Sequence, residues 1–395
     1  MPTLTRAEPA DMEAIVRSVS LAFAGTPDGV RDWLTKQGGV ENLRVLRDAP
    51  GAPMLASLLR IPMGQHYLGR SVPMVGIAGV AVPPERRGGG LALDLMRQSV
   101  RELADEGVPL SVLYASTQTL YRQAGFEQAG ILCRASILLK LIDVRERGLS
   151  VRELTPEDEP ALRACYNAQA RHENGSLDRG PYVWARIAEF RGEKHTPFGV
   201  FNPEGALEGY LYLAQRRKPE SGRFAISLTD VAFTTPRAGR RLLGVLSDFA
   251  MMGDDVLFQC GPLCPLLALL PQQRFDLRIN QFWMLRVACL PAALEARGYP
   301  RGLNARLTLD VADDVVDSNR RAWSFTVDNG RARATPGAGS APVLHLDARA
   351  LAPLYSGLRT PRQLARLGML AGDDDALDAA GAIFAAPTPG LGDFF

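Results

Sequence analysis

The chain has 395 residues, of which 46% are hydrophobic, and it carries 45 Lys plus Arg against 43 Asp plus Glu, a net charge of +2. That length predicts two or three domains. The near-neutral balance argues against the broad basic face that nucleic-acid binding requires. The N-terminus has no basic stretch running into an apolar core, and the longest apolar block, residues 263–270, is too short to span a bilayer.

The five cysteines (Cys133, Cys165, Cys260, Cys264 and Cys289) are odd in number, lack paired metal spacing and lie far in sequence from most histidines. Reduced thiols in a cytoplasmic protein are the expectation, with no metal, no membrane and no nucleic-acid partner.

Glu8-Pro9-Ala10-Asp11 opens a helix pattern carried by Ile15, Val19 and Phe23. A second short helical stretch contains Asp28, Trp33 and Leu34. Residues 45–61 read as two strands about the turn Asp48-Ala49-Pro50-Gly51. Residues 54–61 and 72–82 read as adjacent antiparallel strands.

The next segment, Val80-Ala81-Val82-Pro83-Pro84-Glu85-Arg86-Arg87-Gly88-Gly89-Gly90-Leu91-Ala92-Leu93, changes character within a few residues. An extended apolar run gives way to a basic glycine turn. A helix pattern then follows, with Leu91, Leu95, Met96, Val100 and Leu103 on one face. Strand, glycine turn and helix N-terminus together direct free N–H groups and a positive dipole end at one point, which is an anion site. The glycines let a phosphate approach the backbone, and Arg86 and Arg87 add charge. The turn is neither a nucleoside-triphosphate loop nor a dinucleotide fingerprint.

It does fit Arg-x-x-Gly-x-Ala, as Arg87-Gly88-Gly89-Gly90-Leu91-Ala92. Here the chain resembles the GNAT acyltransferase superfamily, whose motif of this form holds the pyrophosphate of acetyl-coenzyme A. A strand at 110–114 and the segment Tyr121-Arg122-Gln123-Ala124-Gly125-Phe126 follow. Taken alone, Tyr121 reads as a half-buried aromatic on a short helix. Paired with the glycine turn, it matches the tyrosine that faces the coenzyme sulfur in that superfamily.

After a strand at 131–139, a boundary is expected near residue 148. Residues 151–165 echo residues 4–18: Pro156-Glu157-Asp158 stands where Pro9-Ala10-Asp11 stood. Strands are expected at 198–200 and 207–214. Val231-Ala232-Phe233 followed by Pro236-Arg237-Ala238-Gly239-Arg240 echoes the glycine segment, with Arg240 where Gly90 should fall. Either a second copy has lost coenzyme binding, or two unrelated α/β segments share a helix start. Beyond Pro300, strands at 306–311, 323–327, 331–334 and 343–346 precede helices near 351–355, 360–365 and 376–384. Asp328-Asn329-Gly330 marks a hairpin.

This order resembles the Eis (enhanced intracellular survival) family of acetyltransferases. The implied fold class is α/β (α+β): a GNAT domain at 1–148, a degenerate GNAT-like copy at 149–298 and a sterol-carrier-like domain at 299–395. The resemblance implies acetyl transfer to primary amines, including aminoglycosides at several positions, or to protein lysine, by a homohexamer. It assigns backbone contacts with the pantetheine arm to Val80, Ala81 and Val82. Pyrophosphate contacts fall to Arg87, Gly88, Gly89, Gly90, Leu91, Ala92 and Leu93. Further coenzyme contacts fall to Ser116 and Thr117.

By the same carry-over, Tyr121 protonates the leaving thiolate and the terminal carboxylate of Phe395 acts as base. Family members often place an acid just before the last residue. Here Phe394 stands there, with Asp393 one earlier as the substitute substrate contact. Asp28 and Trp33 are candidates for the substrate wall, or else a solvated acid and a core aromatic. Pro387-Thr388-Pro389-Gly390 alone reads as a frayed end. The competing class is a lipid-carrying module on an inactive scaffold.

Overall fold

A computed structural model describes residues 2–395. The chain begins with β1 (Thr3–Arg6), α1 (Met12–Phe23), α2 (Pro27–Asp32) and β2 (Leu43–Arg47). β3 (Ala56–Tyr67) and β4 (Arg70–Ala81) form a long hairpin, longer than the adjacent antiparallel strands expected at 54–61 and 72–82. α3 (Leu91–Asp105) crosses over to β5 (Leu110–Leu113), which pairs parallel with β4. α4 (Gln118–Arg122) and β6 (Glu127–Leu138) close this half. α3 buries Leu95, Met96, Ser99, Val100 and Leu103. That stripe packs on Val75, Ile77 and Leu113, on one face of the sheet.

The second half repeats the plan. It runs through β7 (Ser150–Glu153), α5 (Glu159–Ala170), β8 (Leu177–Asp178), α6 (Pro181–Ala188), β9 (Glu189–Phe190) and β10 (Glu193–Lys194). β11 (Thr196–Phe201), β12 (Leu207–Arg217) and β13 (Phe224–Phe233) follow. α7 (Pro236–Asp248) then leads to β14 (Gly253–Cys260), parallel to β13 as β5 is to β4. α8 (Pro265–Ala268) and β15 (Phe275–Val287) end it.

The halves do not close on themselves. β15 inserts between β5 and β6, and β6 pairs onward with β14. Each half thus lends its last strand to the other, in one 13-stranded sheet whose continuous order leaves only β8 aside, paired with β3. A cut at 148 divides the chain but not this sheet, and no expected strand corresponds to β15.

α9 (Leu290–Ala296) leads to a second sheet of β16 (Asn304–Ala312), β17 (Ala322–Asp328), β18 (Arg331–Pro336), β19 (Val343–Asp347) and β20 (Leu370–Ala371). Asn329 and Gly330 both adopt positive φ at the expected hairpin. α10 (Ala348–Ser356), α11 (Pro361–Arg366) and α12 (Asp374–Ile383) complete the fold. The interior here is filled by Tyr299, Phe325, Tyr355 and Phe384, packed around the fully buried Arg297. Arg286 of β15 and Asp313 form an ion pair at 2.6 Å, both side chains buried, which ties this unit to the large sheet.

The last residues are ordered against the protein rather than frayed. Where β14 ends at Cys260, the tail takes its place beside β6. Ile131 N–H donates to Pro389 O at 3.1 Å and Leu391 N–H to Ile131 O at 3.1 Å. A Cβ at Gly390 would stand 2.7 Å from both Gly261 Cα and Pro262 Cδ. The glycine that suggested a loose end is required by close approach.

Candidate active site

The ladder between β4 and β5 runs from Met74–Leu110 to Ile77–Leu113 and stops. Beyond it the strands part. β4 also carries an extra residue against β3, since Ala78 opposes Leu59 and Ala81 opposes Ser57. Gly79 sits in that bulge at φ +59°. Its missing Cβ makes room for Trp33, whose ring would approach a Cβ there to 2.9 Å. The bulge and the parting leave backbone groups of Val80, Ala81 and Val82 lining a cleft between two strands.

At the mouth of the cleft, Gly88 and Gly90 adopt φ of +91° and +80°. Gly90 is the N-cap of α3 and no side chain caps the helix. A Cβ at Gly88, Gly89 or Gly90 would meet nothing within 4 Å. These glycines therefore serve backbone conformation and an approach from outside, not internal packing. Among the described residues, the N–H groups of Gly88, Gly89 and Gly90 make no hydrogen bond within the protein. Arg87 and Arg86 are exposed beside them, with Arg87 Nε donating to Val82 O at 3.1 Å. Leu91, Ala92 and Leu93 form the first turn of α3. This arrangement fits a diphosphate.

Tyr121 lies on α4 with 6% exposure, against Phe126. Burial raises its pKa above the ordinary 10, and the neighbouring Ser116 hydroxyl pulls the other way. The phenol therefore stays protonated at neutral pH and can donate. Ser116 and Thr117 are exposed at the end of the β5 segment, with Thr117 the N-cap of α4.

The chain end arrives on the sheet face opposite α3. Phe395 is buried, and its ring would meet a Cβ at Gly76 of β4 at 2.7 Å. Phe394 and Phe395 both pack on Tyr114, with ring centroids 4.9 and 5.4 Å away. Tyr114 Oη donates to the Asp393 carbonyl at 2.5 Å, and Arg186 Nε donates to the Phe394 carbonyl at 3.3 Å.

Asp393 does not have the position expected of a substrate contact. Its carboxylate pairs with Arg179 at 2.7 Å, and Arg179 also grips Asp230 at 2.6 Å. Arg179 lies 3.5 Å over the Tyr166 ring. All three charged side chains are buried, so Asp393 anchors the tail and offers no free carboxylate.

Trp33 faces the site, its indole donating to Tyr182 Oη at 2.8 Å. Asp28 is exposed in the first turn of α2 and makes no hydrogen bond or ion pair among the described residues. Val80, Val82, the first turn of α3 and Tyr121 thus share one hydrophobic cluster, Trp33 and Phe395 belong to another, and Asp28 lies outside both. Sequence reasoning missed Tyr114, Arg179, Tyr182 and Arg186. Tyr114 alone left a trace, as the aromatic end of an apolar strand.

The second copy differs from its first-half counterpart for a reason other than the one expected. Arg240 does not obstruct a loop, because no such loop exists. α7 starts at Pro236, directly after β13, and Thr235 caps it by accepting from Ala238 N–H at 3.1 Å. The dipole end is already satisfied.

Profiles described as acetyltransferase (GNAT) domains match residues 3–129 and 175–287, and a sterol carrier protein domain profile matches 290–392. A crystal structure of a GCN5-related N-acetyltransferase from Anabaena variabilis superposes with a TM-score of 0.93 at 32% identity, covering all of both chains. The chain belongs to the GCN5-related N-acetyltransferases. Another such enzyme, from Kribbella flavida, gives a TM-score of 0.86 at 25% identity over all of this chain and 98% of that one. The N-acetyltransferase Eis of Mycobacterium tuberculosis is a homologue at 28% identity, covering 92% of this chain and 91% of its own.

The protein is accordingly a GNAT acyltransferase with two GNAT domains and a sterol-carrier-like domain. Enzymes of this group take their acetyl group from acetyl-coenzyme A, and the open glycine turn and cleft fit that molecule. No helix among the described residues is long and apolar enough to cross a membrane, and no cluster of metal-ligating side chains occurs among them.

Proposed function

We propose that this protein moves the acetyl group of acetyl-coenzyme A to a primary amine at the parting of β4 and β5. The observation that carries this reading is the uncapped turn Gly88-Gly89-Gly90, which faces open space with its N–H groups unspent. The coenzyme supplies an acyl group activated as a thioester.

The chain does the rest. N–H groups from Gly88 to Ala92 hold the diphosphate, with Arg87 beside them, while that of Leu93 donates to Gly90 O at 2.9 Å. Val80, Ala81 and Val82 offer backbone partners to the pantetheine arm, and Ser116 and Thr117 line the opposite strand. Tyr121 protonates the departing sulfur. An unperturbed thiol has pKa about 8.5 and tyrosine about 10, so the donation is uphill, and the burial of Tyr121 adds to the step.

The terminal carboxylate of Phe395 receives the proton of the amine. In water that transfer is uphill by roughly 9 kcal/mol, from pKa values of about 3.5 and 10. Phe394, Phe395 and Tyr114 supply the apolar setting that shifts both values toward each other. In this reading, the units at 1–148, 149–298 and 299–395 serve catalysis, scaffold and delivery of the chain end.

The Eis-family resemblance of the sequence supports a homohexamer, and the five free cysteines suit the cytoplasm. Light scattering tests this, since six chains of 42.8 kDa are readily told from one. A lipid-carrier function is the poorer fit, because the third domain's interior is filled with aromatic side chains. The decisive experiment compares wild type, Tyr121→Phe and a chain extended by one alanine after Phe395. Both variants should keep acetyl-coenzyme A affinity and lose turnover by tenfold or more, on the order expected for loss of a general acid or base. Unchanged turnover in either removes that group from the mechanism.

A further inference from the structure

A cavity of about 500 Å³ opens beside the chain end, on the side away from the glycine turn. Its lining includes Phe394 and Gln281, whose amide donates to Ala115 O at 3.1 Å, next to Tyr114 and the end of β5. It is therefore continuous with the acceptor side of the proposed centre. Its floor is the second half's sheet, and α6 and the residues after it form the wall.

Four arginines line it: Arg134, Arg186, Arg191 and Arg216. The side-chain carboxylates close to them are already committed. Glu193 pairs with Arg216 at 2.6 Å, and Asp393, which also borders the cavity, pairs with Arg179. Arg186 and Arg191 stack on Phe190, 4.9 and 5.3 Å from its centroid. Arg134 stands opposite Arg278 across the β6–β15 ladder, a like-charge pair. Among the described residues, Arg134, Arg186 and Arg191 have no ion-pair partner.

Three guanidinium groups without an ion-pair partner around one cavity repel a polycation and attract an oxyanion. Resting on the acetyltransferase reading, we propose that the acceptor is a small primary amine bearing a carboxylate or phosphate, whose anionic end is held by Arg134 and Arg191 while its amine reaches the chain end. On β6, Arg134 lies two residues from Leu132, the partner of Gln281, roughly 7 Å of strand. The long arginine side chains shorten that span. A linker of about six carbons matches it, and aminoglycosides, being polycations, match it poorly.

The test uses the intact protein and a matched set: 6-aminohexanoate, 6-aminohexyl phosphate, hexylamine and 1,6-diaminohexane. Coenzyme A release should give kcat/KM at least about tenfold higher for one of the anionic amines than for hexylamine, with the diamine lowest. Whichever anionic amine leads identifies the head group. In the Arg134→Ala/Arg191→Ala double variant, the ratio of anionic to neutral amine should fall toward one. A diamine that outperforms both anionic amines overturns the proposal, as does a variant that loses activity equally on all four.

A binding arm decides the matter even without turnover. The melting temperature should rise saturably with an anionic amine in wild type, and the double variant should lose the rise. No rise, or an equal rise in both proteins, also overturns it. Failure to take up acetyl-coenzyme A would instead defeat the underlying acetyltransferase reading, while the binding arm would still judge the cavity.

Discussion

The hydroxyl of Tyr114 donates to the backbone carbonyl of Asp393 across 2.5 Å, joining the strand that borders the coenzyme cleft to the third residue from the chain end. These groups are 279 positions apart in sequence. The bond explains how a domain remote in sequence can serve chemistry in the first. The phenol keeps its proton because burial, and secondarily the Asp393 charge, raise its pKa well above 10.

Tyr114→Phe keeps the ring packing against Phe394 and Phe395 but strands the carbonyl. The expected cost is about 1–3 kcal/mol of tail docking. Turnover should fall several-fold or more with acetyl-coenzyme A affinity unchanged, measured by steady-state kinetics beside calorimetry. A parallel loss of coenzyme affinity would show that Tyr114 supports the cleft and not the tail.

Arg179 offers a second handle on the same tail. Its removal leaves Asp230 and Asp393 buried and unpaired, which should cost about 3–5 kcal/mol. Arg179→Ala should lower the melting temperature sharply and open the last residues to carboxypeptidase. Asp393→Asn should do so less, because Arg179 keeps Asp230. Equal protection of the tail in all three proteins would show that the ion pair does not anchor it.

His66 gives a pH dependence. It is buried, both ring nitrogens lack partners among the described residues, and burial lowers its pKa below 6.5. His195 is lowered in the same way, with burial the largest cause. Below the unfolded value of 6.5 the unfolded chain takes up protons that the folded one does not. This contribution to stability is therefore complete above 6.5 and is lost as pH falls toward the folded values. The melting temperature should drop between pH 7 and pH 5, and His66→Gln should reduce the drop. An identical profile in the variant would exclude His66 as a source.

Much of this was readable from sequence where local chemistry decided the outcome. The glycine turn declared itself because Gly88 and Gly90 need positive φ and open space. Asp328-Asn329-Gly330 declared a hairpin for the same reason. Long-range pairing left no such mark. β15 is not among the expected strands at all, and nothing in residues 275–287 reveals that it lies between β5 and β6. Arg179 is one arginine among many until folding buries it between two aspartates. The glycines of the tail were misleading, because Gly390 suits a flexible end and a tight backbone crossing equally well. Only the neighbours, Gly261 and Pro262, distinguish the two.

The central claim is that bare backbone at the head of α3 holds the coenzyme's diphosphate. Isothermal calorimetry of acetyl-coenzyme A with wild type and Gly90→Val tests it directly, with a melting curve to show that the variant is folded. The account predicts saturable one-to-one uptake by wild type and at least about tenfold weaker uptake by the variant, since a branched side chain at φ +80° both strains the turn and shields the N–H groups. No uptake by wild type, or equal uptake by the folded variant, would contradict it.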